Sequence, residues 1–210
     1  MTIEKDFFRQ VMGQFATGVT VVTTRSKERL AGLTVNTFAS VSLDPPLILI
    51  CVDLHSMVLP FIRASGTFAV NILTSEQEAL SRCFATTSEE RYEHFCHASY
   101  HVAATGSPII DGVLAFIDSR IVAEYPGGDH AIFLGEVVAM GTDGRAAFAS
   151  EVEKQQSTLN EWSNDEPGVA STLRSRDQKL PLVYYRAQYR HLTRDYQRPS
   201  LAAYYDEDFE

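Results

Sequence analysis

The chain has 210 residues, enough for one sizeable core, and its 45% hydrophobic and 10% aromatic content fits a folded domain, not a disordered one. A formal net charge of −9 disfavours non-specific binding to nucleic acid or an anionic membrane, although a local basic pocket is compatible with it. No apolar run reaches the ~18 residues a membrane span needs, the start MTIEKDFFRQ lacks a signal-peptide core, and three cysteines without a CxxC read as reduced thiols of a cytoplasmic protein.

Phe7, Phe8, Val11, Met12 and Phe15 recur at helical spacing, so residues 3–15 are expected to form an amphipathic helix. VTVVTT (19–24) is a β-branched strand, RSKER a polar turn, and LAGLTVNTFASVS the returning strand of a hairpin. Within that second strand Thr34, Asn36, Ser40 and Ser42 alternate with Val35, Thr37, Ala39 and Val41, and only Phe38 breaks the polar series. Its polar face carries short, uncharged hydrogen-bonding groups instead of the lysines and glutamates of a solvated strand. Such a face suits a polar, planar or phosphorylated ligand.

After the break at Asp44-Pro45-Pro46, LILICV (47–52) reads as a buried strand. HSMVLPFIRASG is expected to be a short helix entered near Ser56 and closed by Gly66, and TFAVNIL (67–73) another strand. Ser75-Glu76-Gln77-Glu78 fits a capping box that opens a helix to about Phe84, and Ser88 caps a second helical piece. Strands are expected at roughly 113–124 and 130–140 around the PGGD turn, and a late strand in LVYYRAQYRHL (182–192). Many short strands with few long helices predict a mainly β fold with peripheral helices, a barrel or sandwich. Residues 1–195 form a single domain in this reading, with 141–180 a polar, partly helical insertion and 196–210 an acidic tail.

Protein-based chemistry finds little support in the residues. The G-x-S-x-G signature of a serine nucleophile is absent. His94, Cys96, His97 and His101 are suitable zinc ligands by type, but no second cysteine stands at finger spacing, so packed or exposed side chains are the favoured reading. Ser56 at a helix start and the guanidinium of Arg91 could hold a phosphate, though on these stretches alone plain capping and a surface ion pair are the favoured readings. His130 follows the PGGD turn at a strand mouth, where it either caps the strand end beside Asp129 or meets a ring ligand.

FRQVMGQFATGVTVVTT, GLTVNTFASVSLDPPLILICV, SGTFAVNIL, GDHAIFLGEV and PLVYYRAQYRHL, in this order, resemble the flavin reductase family with its FMN-binding split β-barrel. The resemblance covers most of residues 7–140 and the late strand; the 141–180 segment and the tail depart from compact members. It implies flavin contacts at Thr34, Val35, Asn36 and Thr37 for the ring, and at Ser40, Val41 and Ser42 for the ribityl chain and phosphate. Asp53, Ser56, Phe84, Ala85 and Arg91 would stand near the phosphate end, and His130 on the nicotinamide side as the catalytic residue. The implied activity is hydride transfer from NADH or NADPH to FMN or FAD, with reduced flavin passed to a partner monooxygenase and no metal. A homodimer is implied as well. Two alternatives share the same barrel: a flavin-binding electron carrier or regulator without free-flavin turnover, and an oxidase of a small cofactor-like amine.

Overall fold

The computed structural model describes residues 3–142, 145–150, 158 and 179–192. The chain opens with α1 (Lys5–Met12), β1 (Thr17–Gly18), β2 (Thr20–Ser26), β3 (Arg29–Val35), β4 (Phe38–Leu43) and β5 (Pro46–Asp53). Then come α2 (Leu59–Ser65), β6 (Thr67–Ile72), α3 (Glu78–Ala85), α4 (Glu89–Tyr92), β7 (Tyr100–Val102) and β8 (Pro108–Ile110). The long hairpin β9 (Ala115–Gly127) and β10 (His130–Thr142) follows, then β11 (Arg145–Phe148), β12 (Leu182–Tyr185) and β13 (Gln188–His191).

The main sheet runs in the order β3-β2-β6-β9-β10-β5-β4, with β11 added beside β10. Its two outermost strands, β3 and β4, are consecutive in sequence and separated only by Asn36 and Thr37. Two residues span at most about 11 Å from Val35 to Phe38 at 3.8 Å per Cα step. The sheet must therefore curl until its opposite edges almost meet, yet β3 and β4 do not pair. This is a split β-barrel.

Apolar side chains fill both faces of the curled sheet. Val22, Leu33, Ile48, Ile50, Val52, Phe68, Val70 and Phe133 form one core together with Leu59 and Ile62 of α2. Val21, Leu73, Phe84, Phe95, Phe116 and Leu182 form a second core on the other face, beneath α3 and the β7–β8 hairpin. Adjacent Val21 and Val22 serve the two cores because successive strand residues point to opposite faces. At Gly135 the barrel wall comes so close to Phe68 that a Cβ would lie 2.6 Å from its ring.

Several expectations are corrected in detail. The stretch expected as one strand from Leu30 to Ser42 is two strands on opposite sheet edges, broken at Asn36-Thr37, and a bulge at Val41 shifts the register between Ser40 and Ser42. Alternation therefore does not run through it. The helix expected from Ser56 begins at Leu59, with Pro60 in its first turn and Gly66 closing it at φ 68°. The capping box is Thr74 with Gln77, one residue earlier than expected. The late strand is the hairpin β12–β13, turned by Arg186 and Ala187 at positive φ. β10 extends into the segment expected as an insertion, and β11 pairs back on it, so the boundary at 141 is too early. Most of the remainder of 141–180, and the tail 196–210, lie outside the described residues.

The cysteines also differ from expectation. Cys83 on α3 and Cys96 form a disulfide with their Cα atoms 6.0 Å apart, and Cys51 is the free thiol. Spacing of 13 residues gave no hint of this, because α4 folds the intervening chain back on itself. The amphipathic α1 is present, but its apolar face is uncovered: Phe7, Phe8, Val11 and Met12 are each more than half exposed, as is Phe15 beyond it.

Candidate active site

The split between β3 and β4 places two polar residues where the sheet has no partner strand. Thr37 is bound to β5: its Oγ1 donates to the Cys51 carbonyl at 2.9 Å and its carbonyl accepts from the Cys51 N–H at 3.3 Å. Asn36 beside it is exposed, and among the described residues its carboxamide makes no hydrogen bond. An exposed amide offers two donors and an acceptor in one plane, the pattern that meets the edge of a polar ring. Thr34 and Val35 are half-buried and less available. The Thr34 hydroxyl donates to the Ser81 carbonyl of α3 at 2.7 Å, and the Val35 carbonyl accepts from Thr20.

Two residues beyond Cys51 on β5, roughly 7 Å along the strand, Asp53 stands opposite His130 at the start of β10. The His130 ring Nδ1 is 2.7 Å from Asp129 Oδ1. This bond holds the Asp129 carboxyl below its usual range, and it leaves Nε2 as the nitrogen available to a ligand. Asp53 accepts from the His55 N–H at 2.7 Å and lies 3.1 Å from the His55 ring. Those bonds, with His130 nearby, lower its carboxyl too. Two imidazoles and two ionised carboxylates thus crowd one end of the split. Cys51, between Asn36 and this end, has its thiol pushed up by burial and is a poor nucleophile.

The residues implied for the phosphate do not all meet. Ser40 and Ser42 lie on β4 opposite Ile48 and Leu47, at the other end of β5 from Asp53. Six residue steps take β5 from Leu47 to Asp53, roughly 20 Å of strand. Asp53 and Ser56 therefore keep company with His130 and not with Ser42; the Ser56 hydroxyl accepts from the N–H of Val58, the residue just before α2. Val41 is exposed at the bulge, and the Ser42 hydroxyl accepts from Asp44 N–H.

Phe84 is fully buried, its ring so close to Gly32 that a Cβ there would stand 2.7 Å away, so its side chain is core. Arg91 is buried too. Its Nε donates to the Gly32 carbonyl at 2.9 Å and Nη1 reaches the Thr86 carbonyl, so it braces β3 from behind with two of its three nitrogens already engaged. Burial lowers its pKa. Ala85 is exposed and lines an open surface cleft of about 660 Å³ between α3 and the β12–β13 hairpin.

Sequence reasoning missed Ser81, whose carbonyl fixes Thr34; the pairing of His130 with Asp129 was one of the two readings open for that histidine. The metal alternative loses its ligands to other partners. Cys96 is in the disulfide, His101 pairs with Asp111 at 2.5 Å, and the His94 and His97 rings stack at 5.2 Å.

Comparison with known proteins gives a consistent picture. The family model described as flavin reductase like domain matches residues 12–193. A flavin-dependent monooxygenase reductase subunit from Mycobacterium tuberculosis is 38% identical over 138 residues, covering 66% of this chain and 72% of that one. An NADH-dependent FMN reductase from Streptomyces nodosus subsp. asukaensis is 42% identical over 142 residues, covering 64% of this chain and 74% of its own. Among solved structures, the NADH:FAD oxidoreductase of Streptomyces globisporus with NAD and FAD fragments superposes with a TM-score of 0.69 at 31% identity, covering 92% of this chain and 96% of that one.

Proposed function

The chain belongs to the flavin reductase like family, and on that premise we propose that it is an NAD(P)H-dependent flavin reductase supplying reduced FMN or FAD to a partner monooxygenase. The observation that carries the reading is the split edge: the unpartnered Asn36 carboxamide beside Thr37, with His130 two strand residues further along. An exposed, uncharged, planar donor–acceptor group fits a flavin ring edge better than it fits a metal or an anionic substrate. When bound, flavin supplies the redox chemistry by accepting a hydride from nicotinamide.

The chain's own residues bind, orient and exclude. Asn36 meets the ring edge; Thr37, tied to Cys51 by two bonds, keeps that edge rigid. His130, held through Nδ1 by Asp129, presents Nε2 to the nicotinamide and shortens the distance hydride must cross. Ser40, Val41 and Ser42 extend the edge toward the ribityl and phosphate end, and Ala85 at the end of α3 is kept as a further cofactor-binding candidate. Neither Phe84 nor Arg91 binds the ligand in this assignment; both support β3 from beneath. Asp53 and Ser56 move to the nicotinamide end.

Self-association belongs to the proposal. The uncovered Phe7, Phe8, Val11 and Met12 stripe of α1 supports a homodimer, since a contiguous apolar face of this kind is rarely left in water. Among the described residues no helix is long and apolar enough to cross a membrane. An enzyme drawing on soluble NAD(P)H and free flavin is placed in the cytoplasm by this reading.

Steady-state NADH oxidation tests the function. The rate should rise and saturate with added free FMN or FAD. Tight, stoichiometric flavin binding with no acceleration by free flavin would replace the reading with that of an electron carrier.

A further inference from the structure

Three consecutive residues with side chains, Phe95, Cys96 and His97, hold left-handed backbone with φ of 49°, 53° and 53°. That conformation is unfavourable for any residue with a Cβ, and a run of three persists only where its surroundings fix it. Two attachments fix it here. Phe95 is buried edge-on against Phe84 at 5.1 Å, and Cys96 is joined to Cys83 of α3 by the disulfide.

The same segment presses on the strand that leads to the site. Both Phe84 and Phe95 abut Gly32 of β3, where a Cβ would stand 2.7 and 3.4 Å from their rings. Arg91 donates to the Gly32 carbonyl, and Ser81, two residues before Cys83, accepts from Thr34. Residues 81–97 therefore form a cap on β3 whose far end is tied back by one covalent bond. Beyond Val35 that strand becomes the Asn36–Thr37 edge.

We propose that Cys83–Cys96 is a redox clamp on the flavin site: its reduction by a dithiol frees the left-handed turn, loosens the cap on β3 and lowers flavin affinity. The proposal rests on the assignment of the Asn36–Thr37 edge to flavin. Chemically, a thiolate of the dithiol attacks one cysteine sulfur and forms a mixed disulfide, and the other cysteine leaves as a thiolate that takes up a proton. The second thiol of the reductant then displaces the first cysteine. The reductant ends as a cyclic disulfide, Cys83 and Cys96 as thiols, and two electrons have passed. Both cysteines are only half-buried, so an external thiolate can reach the bond. Released, the turn can relax to right-handed backbone, with the disulfide no longer among the attachments that fix it.

The test counts thiols and titrates flavin on the full-length protein in both states. Denatured oxidised protein should show one reactive thiol, Cys51, and dithiothreitol-treated protein three. Reduction should weaken flavin binding at least about fivefold, the lower end of ordinary coupling between sites. The Cys83→Ala, Cys96→Ala double variant should bind flavin as reduced protein does and ignore dithiothreitol. Three thiols before reduction, or equal flavin affinity in the two states, would overturn the clamp. If neither state binds flavin, the flavin assignment falls instead. The clamp is then decided by amide exchange across residues 83–97 and Thr34: acceleration on reduction sustains it, unchanged exchange ends it.

Discussion

Asn36 is the residue on which most of the site depends, because it alone of the Thr34–Thr37 group has its side chain both exposed and uncommitted. Asn36→Leu removes the amide and presents an apolar branch to a polar ring edge. A lost ligand hydrogen bond of this kind is worth roughly 1–3 kcal/mol, about one to two orders of magnitude in flavin affinity. Fluorescence titration of a well-folded variant checks it, and unchanged affinity removes Asn36 from the site. His130 has a different role. Strand-end pairing with Asp129 and service to nicotinamide both fit its geometry, since the pairing uses only Nδ1. His130→Ala should leave flavin affinity intact while raising the KM for NAD(P)H or lowering turnover. Stopped-flow flavin bleaching at wild-type rates across NADH concentrations would reduce His130 to scaffolding.

At the level of elements, the chemistry of the sequence was more legible than its geometry. The short uncharged polar residues around Asn36 stand exposed at the sheet edge, and the β9–β10 hairpin and Ser88 cap were readable from turn and capping residues. What failed was continuity. A two-residue polar break inside a β-type stretch reads as one strand, because period-two alternation carries no information about which sheet edge each half joins. Arg91 was hard to read for a related reason: its Gly32 partner lies on a strand far away in sequence. Its assignment as a brace has a distinct signature. Arg91→Met leaves those carbonyls without their donors and should lower stability by about 1–3 kcal/mol in urea denaturation. It should also weaken riboflavin and FMN binding alike; loss confined to FMN would return Arg91 to the phosphate.

Over the whole molecule, buried polar groups tie β8 and the loop that joins it to β7 to the main sheet. Asn71 donates to the Val21 carbonyl and accepts from the Ile110 N–H, and Thr23 donates to the Pro108 carbonyl. Asp118, fully buried on β9, accepts from both the N–H and the hydroxyl of Thr105. Burial pushes its carboxyl up to about 6, against the opposing pull of those bonds. The folded chain therefore holds this proton more tightly than the unfolded chain, where an aspartate titrates near pH ~4. The stability it contributes is complete below pH ~4, declines as pH rises toward about 6, and is lost above that. A shift of about two units corresponds to about 3 kcal/mol. Thermal unfolding from pH 4 to 7 should show this decline in the wild type and a flatter profile in Asp118→Asn; parallel profiles would mean that another group sets the slope.

On the proposed assignment, the split between β3 and β4 is a flavin edge open enough for free flavin to enter, be reduced and leave. Anaerobic mixing of the protein with NADH and a several-fold excess of free FMN or FAD tests that most directly. The account predicts bleaching of the whole flavin pool, many equivalents per chain, with NADH consumed one for one. Bleaching that stops at one flavin equivalent per chain, or that proceeds no faster than without protein, would contradict it.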